Sequence, residues 1–477
     1  MRQGKPPLPN ASTHIRLIRR SAWVTTTQWR RTLPYWVGAI LVGIAAVSFA
    51  ALADAAAQLR TNVLSWDPRV MILVMPFGLG LATWLTRRFF RSAQGSGIPQ
   101  TIATLNTEDF TLVGRILSLR VALAKIFMTV FGIAVGASIG REGPTVQIGA
   151  AIMHAFSRLT GTVNVTMRRG AILAGGAAGI SAAFNTPLAG IVFAIEELTH
   201  SFEQRTSGTM LTSVIISGVT ALALVGNYSY FGHTNVEVPV GTAWAAVLGC
   251  GIFGGIAGGC FSATLVQFSQ GRPRFISAYA QARPIKFAML CGLVLAVIGL
   301  ISHGATYGTG YAQARAIIDG REHYPASFFL YKLSATVVSY WSGIPGGIFA
   351  PSLSVGAGIG GWISQFLPHT SAGAVVLLGV VGYFSAVVQA PLTATVIVME
   401  MSDNQQVTLA FMATSFLAFG VSRVICKKSL YGALAERFMT SFSPSSPSNE
   451  TATHPQDVAP ASDEALPSPE EQSPPSH

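Results

Sequence analysis

Three short segments of the chain share one arrangement of glycine and proline. They are Gly-Ser-Gly-Ile-Pro, bounded by Gly95 and Pro99, Gly-Arg-Glu-Gly-Pro, which contains Gly140, Gly143 and Pro144, and Gly-Ile-Phe-Ala-Pro, bounded by Gly347 and Pro351. Proline suits the first turn of a helix, and glycine lets the preceding backbone turn tightly and approach a ligand. Because the unpaired N–H groups of a helix amino end attract anions, these segments predict helices that begin inside the protein and face an anion.

Acidic side chains lie within or beside apolar parts of the chain. Glu142 is inside the second segment, and Glu196 and Glu197 end a long apolar run. A carboxylate can occupy an anion site when ionised and leave it when protonated, and acids in membrane segments are functional candidates by default. From the residues alone, Glu142 could instead stabilise a helix amino end.

The composition of the chain points to a lipid environment. Half of the 477 residues are hydrophobic and 11% are charged, against about 25% charged in an ordinary soluble protein. Nine apolar stretches are long enough to cross or enter a bilayer: 35–57, 70–86, 121–140, 171–195, 210–224, 243–268, 285–301, 374–399 and 409–425. The chain is therefore predicted to be a polytopic membrane protein, and a single anchor is excluded.

Basic residues are concentrated at the ends of the apolar stretches. The first 34 residues are basic and contain no acid, and further basic residues close the second and last stretches: Arg87, Arg88, Arg91, Arg423, Lys427 and Lys428. Because positive charge is retained on the cytoplasmic side, segment 1–34 and both termini are predicted to be cytoplasmic. The net charge of +11 follows from this topology, and no nucleic-acid partner is predicted because no basic patch with interleaved aromatic residues occurs.

The two halves of the chain repeat each other. Seven identities fall in 22 aligned positions at an offset of 204 residues, where roughly two are expected by chance. They begin with Gly175 and Gly379, and a second block, which includes Gly149 and Gly356, is offset by 207 residues. Such duplication is typical of secondary transporters, whose sites lie between the repeats on broken helices. We predict repeat halves at about 35–225 and 240–437, inverted if each half crosses the membrane an odd number of times.

The repeat also separates the acids. Glu196 pairs with Glu400, which favours a structural role in each half. Glu142 pairs with Phe349, and Glu197 pairs with a methionine. The duplicated architecture therefore requires neither of these last two carboxylates.

Missing motifs argue against several classes of function. The sequence has no GxxxxGK[ST] phosphate loop and no HExxH motif, and its four cysteines lack metal-ligand spacing. An ATP-driven pump and an enzyme are therefore not predicted. Residues 438–477 are rich in Ser, Pro and Glu, and are predicted to be a disordered cytoplasmic tail.

The three segments, in this order and followed by a tyrosine after the last apolar stretch, resemble the CLC family of chloride channels and exchangers. The similarity covers about residues 35–437. It implies an all-α membrane fold of many tilted and re-entrant helices in two inverted halves. It further implies a homodimer with one pathway per subunit, no metal or organic cofactor, and a place in a bacterial inner membrane.

The resemblance also implies roles for individual residues. Ser96, within a motif that includes Gly97, coordinates a central dehydrated anion together with backbone N–H groups around Ile348 and Phe349. Tyr431 closes that site from the cytoplasmic side. Both hydroxyls are hydrogen-bond donors, as an anion requires. Without the resemblance, the serine would be interpreted as a helix cap and the tyrosine as an interfacial residue.

Two acids complete the implied site. Glu142 matches the gating glutamate, which blocks the anion path and exchanges protons with the outside. Glu197 matches the internal proton-transfer glutamate, which is typical of exchangers and usually missing from channels. Arg141 also matches the family, but it could simply face water or a backbone carbonyl.

The resemblance therefore favours a chloride/proton antiporter, with a passive chloride channel as the alternative. Transport of fluoride or nitrate is less favoured, because Ser96 matches the pattern of chloride-transporting members. The chain departs from the family at Gln100, where members often have Glu, and at His200, which either modulates proton entry or faces water. The paired cystathionine-synthase-type domains of larger members are not found, so nucleotide regulation is not expected.

Overall fold

The regular structure of the chain is helical. The computed structural model describes residues 11–160, 164–199, 204–226, 230–232, 243–322 and 324–441. Within these ranges the regular elements are helices, and two isolated β-bridges join loop residues. The predicted all-α fold is therefore confirmed. His200 and the proposed tail beyond residue 441 lie outside the described residues.

Nineteen α-helices occur in the described part of the chain. They are α1 (Ala11–Trp66), α2 (Met71–Phe89), α3 (Ile98–Leu105), α4 (Phe110–Ile116), α5 (Leu119–Ala134), α6 (Glu142–Ser157), α7 (Val165–Phe184), α8 (Pro187–Phe193), α9 (Gln204–Val225), α10 (Ala243–Ser269), α11 (Arg274–Ala282), α12 (Pro284–Ile301), α13 (Tyr311–Ile318), α14 (Phe328–Trp341), α15 (Phe349–Ser364), α16 (Ala372–Val388), α17 (Pro391–Ser402), α18 (Thr408–Ile425) and α19 (Leu430–Thr440).

Among the described residues, seven helical segments are long and apolar enough to cross a bilayer. They are Thr32–Trp66, Pro68–Phe89, Phe110–Ala134, Gly208–Val225, Trp244–Ser269, Pro284–Ile301 and Thr408–Ile425. A segment of 18 or more apolar residues spans the hydrocarbon core. The chain therefore crosses the membrane several times, as the composition predicts.

Two of the predicted apolar stretches are each divided into two helices. The stretch 171–195 breaks between α7 and α8, and the stretch 374–399 breaks between α16 and α17. At each break a residue with left-handed backbone ends the first helix, Asn185 with φ 58° and Gln389 with φ 57°, and a proline begins the second. These breaks lie 204 residues apart, so they belong to the repeat. The breaks themselves were not predicted, because hydrophobicity alone does not register a helix break.

The repeat halves contact each other reciprocally. The Glu400 carboxylate, on α17, accepts hydrogen bonds from the N–H groups of Leu188 and Ala189 at 3.2 and 2.7 Å. The Glu196 carboxylate accepts hydrogen bonds from the N–H groups of Leu392 and Thr393 at 3.1 and 2.6 Å. Each acid therefore caps the amino end of a helix in the other half. Such reciprocal contacts are expected when the two halves are related by a two-fold axis. The predicted structural role of Glu196 is confirmed.

Glycines shared by the two halves lie where helix backbones come closest. A Cβ atom on Gly356 would lie 2.7 Å from the Cα of Val380 and 2.8 Å from the carbonyl oxygen of Gly379. The equivalent pair in the first half, Gly149 and Gly175, would collide in the same way. The packing of α6 on α7 and of α15 on α16 therefore requires glycine at these positions, which explains the repeat identities.

Candidate ion-transport site

The three glycine-proline segments meet in the middle of the fold. Gly140 and Gly347 form an antiparallel bridge, with N–H to carbonyl distances of 2.7 and 2.8 Å in the two directions. The N–H group of Gly346 donates to the carbonyl of Gly95 at 3.2 Å. The loops that begin α3, α6 and α15 are thus joined by backbone hydrogen bonds, and three helix amino ends are close together.

Glycine is required where these loops converge. A Cβ atom on Gly143 would collide with the Ser96 hydroxyl and would lie 3.4 Å from the Cα of Gly347. Gly97 has φ 109°, a conformation that side chains disfavour, and its Cβ would lie 2.6 Å from the carbonyl oxygen of Gly143. Because Gly97 and Gly143 have no side chains, the Ser96 hydroxyl lies directly against the α6 amino end.

Two buried hydroxyls point to a ligand at this place. Ser96 is 1% exposed and Tyr431 is fully buried, and neither hydroxyl makes a hydrogen bond of standard geometry within the described structure. The phenol lies next to Ser96 and within electrostatic range of Glu142 and Glu197. A buried hydroxyl without a partner costs about 1–3 kcal/mol. Other buried hydroxyls also lack partners, so the convergence of this pair with helix amino ends is the distinguishing feature.

An aromatic enclosure surrounds the α15 amino end. The Phe349 ring stacks on Tyr431 with centroids 6.1 Å apart and contacts the Phe384 ring at 4.7 Å. Phe184 and Phe193 lie on other sides of it, each at 6.1 Å. The enclosure packs against the Tyr431 ring, and the phenol hydroxyl lies next to Ser96. The apolar surroundings strengthen electrostatic interactions inside them.

Glu142 lies at the amino ends of two helices from different halves. Its side chain is fully buried, and a carboxylate oxygen is in contact with Gly140. The carboxylate faces the N–H groups of Arg141, Glu142 and Ala350, in contacts that do not meet the geometry of a hydrogen bond. An anionic side chain is thus placed where helix amino ends attract negative charge.

Arg141 does not neutralise this carboxylate by a direct ion pair. Its guanidinium donates to the Ala50 carbonyl at 2.8 Å and contacts the Asp54 carboxylate at 3.0 Å. Ala50 and Asp54 belong to α1, so Arg141 ties the second segment to that helix. Of the two alternatives considered for Arg141, the bond to a backbone carbonyl is the observed one.

Glu197 and its neighbour Glu196 have separate surroundings. Both lie in a π-helical turn, Ala194–Thr199, in which each turn contains an extra residue. Glu196 binds the α17 amino end, whereas Glu197 is 2% exposed, makes no described ion pair and interacts with Tyr431. Of these two adjacent acids, Glu196 therefore binds a helix amino end, and Glu197 lies within electrostatic range of Tyr431.

The N–H group of Gly97 is already used within the protein. It donates to the Gln100 side-chain oxygen at 2.8 Å, and the Gln100 amide nitrogen donates in turn to the Gln94 carbonyl at 2.5 Å. Gly97 was predicted among the anion-binding residues, and in this structure its N–H group donates to Gln100 within the same turn. The neutral Gln100 retains the acceptor that this turn needs.

Two buried lysines were not identified from the sequence. The Lys125 ammonium donates to the carbonyls of Ala93 and Gly95 at 2.8 and 2.7 Å. The Lys332 ammonium donates to the carbonyls of Thr306 and Gly308, at 2.9 and 2.7 Å. The lysines are 207 residues apart, so the repeat offset was the signal that could have revealed them.

The lysine in the first half acts on the segment that contains Ser96. Because the Gly95 carbonyl points toward the Lys125 ammonium, the negative end of that peptide is turned away from the site. The ammonium itself is fully buried. Lys125 therefore positions the Ser96 turn without being one of the groups that meet at the hydroxyl pair.

The chain matches the model of the voltage-gated chloride channel family over residues 78–423. It is 29% identical over 424 residues to the H(+)/Cl(-) exchange transporter ClcA of Yersinia pestis biovar Antiqua (strain Angola), covering 83% of this chain and 85% of that protein. It is also 29% identical over 447 residues to ClcA of Citrobacter koseri, covering 88% and 91%. The chain belongs to the voltage-gated chloride channel family, which is the CLC family.

Solved structures show the same fold. A slow cyanobacterial Cl-/H+ antiporter superposes with a TM-score of 0.75 at 23% identity, over 87% of this chain and 99% of that one. A CLC-type fluoride/proton antiporter superposes with a TM-score of 0.70 at 22% identity, over 86% and 98%. These proteins transport different anions on one fold, so the fold does not select the anion.

Proposed function

We propose that this protein exchanges chloride for protons across a bacterial inner membrane. The observation that carries the proposal is the placement of Glu142 at two helix amino ends, close to the unpartnered hydroxyls of Ser96 and Tyr431. A second buried acid, Glu197, lies within electrostatic range of the same tyrosine. The similarity to ClcA exchange transporters supports the same activity.

The proposed anion site combines hydroxyl and backbone donors. Ser96 and Tyr431 would donate from their side chains, and the N–H groups of Ile348 and Phe349 would donate from the α15 amino end. Partial charges of this kind attract an anion without the full charge of a lysine or arginine. Chloride would therefore be held without a tight ion pair, which suits rapid release.

Glu142 would couple the two ions by competing for the pathway. When ionised, its carboxylate stays at the helix amino ends that also attract chloride. When protonated, it loses this attraction and can leave, so that an anion enters in its place. One protonation event is thereby linked to the movement of anions past the same point.

Glu197 would supply the proton from the cytoplasmic side. It is buried, it is not held by a helix amino end as Glu196 is, and it interacts with Tyr431. A passive channel needs no second buried acid. An exchanger also needs a group that exchanges protons with the cytoplasmic side. Glu197 therefore favours exchange over the channel alternative.

Chloride is the proposed anion because of the serine at position 96. Members that transport fluoride usually replace this serine, and members that transport nitrate often have proline there. In this chain the Ser96 hydroxyl is buried at the helix amino ends. We further propose a homodimer with one pathway per subunit and cytoplasmic termini, as the distribution of basic residues indicates.

The proposal is tested with purified full-length protein in liposomes loaded with chloride and placed in a low-chloride buffer. With equal pH on both sides at the start, outward movement of chloride should drive protons into the liposomes. Fluoride should replace chloride poorly. Chloride efflux without proton uptake would show a channel. Proton uptake driven better by fluoride than by chloride would contradict the proposed substrate.

A further inference from the structure

A cavity separate from the candidate ion-transport site lies at one membrane boundary. It has a volume of about 820 Å³ and is bordered by the carboxyl-terminal ends of α1 and α12, the turn after α12 and the beginning of α14. None of the residues predicted for anion or proton transport lines it. Small-molecule sites usually measure about 300–1,000 Å³, so the volume suits an organic ligand and far exceeds that of a chloride ion.

Arg60 gives this cavity a positive charge. Its guanidinium donates to the Ile133 carbonyl at 2.8 Å, and its Nε is buried without a hydrogen bond in the described structure. The ion pairs found among the described residues do not include Arg60. The buried Lys332 ammonium is near enough to interact with it electrostatically. Arg60 therefore places a positive charge at the cavity, where a buried charge is costly unless it is paired.

The described residues that line the cavity include no aspartate or glutamate. They include side chains that can donate hydrogen bonds, namely Ser327, Tyr331 and Gln313, and apolar side chains such as Leu64 and Leu300. Glu322, which accepts a hydrogen bond from Tyr324 at 2.5 Å, is not among the lining residues. The chemistry of the lining therefore suits a ligand with an anionic group and an apolar part.

The level of the cavity in the membrane identifies the source of such a ligand. The apolar segments Thr32–Trp66 and Pro284–Ile301 both end at the cavity. By the proposed orientation this is the non-cytoplasmic boundary, where lipid headgroups lie and where tyrosines are enriched. The exposed side chains of Leu59 and Ile301 continue the apolar surfaces of the two segments up to this boundary.

We propose that this cavity binds a phosphate-bearing group, with its phosphate on Arg60. The planar guanidinium matches phosphate oxygens in a two-point contact, and the surrounding apolar side chains accept the glycerol and first acyl carbons of a phospholipid. An anionic phospholipid of the non-cytoplasmic leaflet is the occupant that the position favours. Free inorganic phosphate has the same charged group and is the other source of this chemistry.

The test measures binding rather than transport, so it is independent of the proposed antiport. The full-length protein in a neutral detergent is titrated with dihexanoyl phosphatidylglycerol, with dihexanoylglycerol and with inorganic phosphate, while its thermal unfolding is followed. Arg60→Gln removes the charge of the cavity. Arg69→Gln removes the same charge from an exposed residue on the same membrane side that does not line the cavity.

Phosphatidylglycerol should stabilise the wild type and Arg69→Gln equally, and its affinity should fall about tenfold or more in Arg60→Gln, as loss of a charge-assisted contact implies. Dihexanoylglycerol, which lacks the phosphate, should have no such effect. An equal, Arg60-dependent effect of inorganic phosphate would identify the soluble ion as the ligand. Equal affinity of Arg60→Gln and wild type for both phosphate compounds would overturn the proposal.

A second variant keeps the test decisive if Arg60→Gln does not fold. Ser65 is exposed at the cavity wall, so Ser65→Trp fills the entrance and leaves Arg60 in place. Loss of phosphatidylglycerol binding in Ser65→Trp would support the site. Unchanged binding would place the lipid elsewhere and contradict the proposal.

Discussion

The two repeat halves have the same supports but different chemistry. Each half has a buried lysine that binds two carbonyls and an acid that caps the other half's helix. The residues proposed for transport depart from this symmetry. Glu142 has Phe349 as its equivalent, and Glu197 has Met401. Residues that are identical in the two halves therefore have structural roles. The acids that occur in one half only are the ones proposed to exchange ions.

The largest effect is expected from removing the first symmetry-breaking acid. Glu142→Ala should leave chloride flux intact and reduce chloride-driven proton uptake by about a hundredfold or more, because the group that exchanges protons in the pathway is lost. Both fluxes are measured in the same liposomes. The exposed acid Glu108 provides a control, since Glu108→Gln should retain coupling. Continued proton uptake by Glu142→Ala would show that another residue exchanges protons in the anion pathway.

The two lysines test whether equivalent supports have equivalent consequences. Lys125→Met and Lys332→Met each remove a buried ammonium group that donates to two carbonyls, so each should lower stability by about 1–3 kcal/mol or more. Only Lys125→Met should also weaken chloride binding, because Lys125 orients the turn that contains Ser96. Thermal unfolding and chloride titration of the purified variants measure the two effects.

Equal loss of chloride affinity in both lysine variants would contradict this assignment. It would mean that the affinity reports on general stability, and that the Ser96 turn has no special dependence on Lys125.

The reciprocal acid caps should be equivalent to each other. Glu196→Gln and Glu400→Gln each remove a carboxylate that accepts two backbone hydrogen bonds, so each should cost about 1–3 kcal/mol of stability. Both variants should still couple proton uptake to chloride. Thermal unfolding of the two single variants and the double variant checks the stability loss. A large difference between the single variants would show that the two halves do not share this support.

The smallest effect is expected from a single hydroxyl of the proposed anion site. Tyr431→Phe keeps the stacked ring and removes one donor, so chloride affinity should fall about two- to tenfold, as a single hydrogen bond predicts. Tyr383 is a matched control, because it is also fully buried and its hydroxyl also lacks a partner. Tyr383→Phe should not change the affinity measured by chloride titration. A similar loss in both variants would argue against a direct contact with the anion.

The sequence predicted the features that depend on residue type and periodicity. The three glycine-proline segments and the repeat offset predicted helix amino ends that meet, two halves in contact and a structural Glu196. The helix breaks at Asn185 and Gln389 were missed because the apolar stretches were delimited by hydrophobicity alone, although Pro187 and Pro391 follow the breaks in the sequence. The bond between Gln100 and Gly97 depends on a local turn, and the lysine contacts depend on packing between helices. Neither contact follows from composition, although the repeat offset of 207 residues marks the two lysines as equivalent positions.

The adjacent acids Glu196 and Glu197 allow the most direct test of the proposed proton pathway. Both are glutamates, but only Glu197 is proposed to transfer protons. Chloride-driven proton uptake is measured for the wild type, Glu196→Gln and Glu197→Gln in liposomes of equal protein content. Glu196→Gln, though less stable, should still take up protons, whereas Glu197→Gln should move chloride without proton uptake. Loss of coupling in Glu196→Gln together with normal coupling in Glu197→Gln would contradict the account.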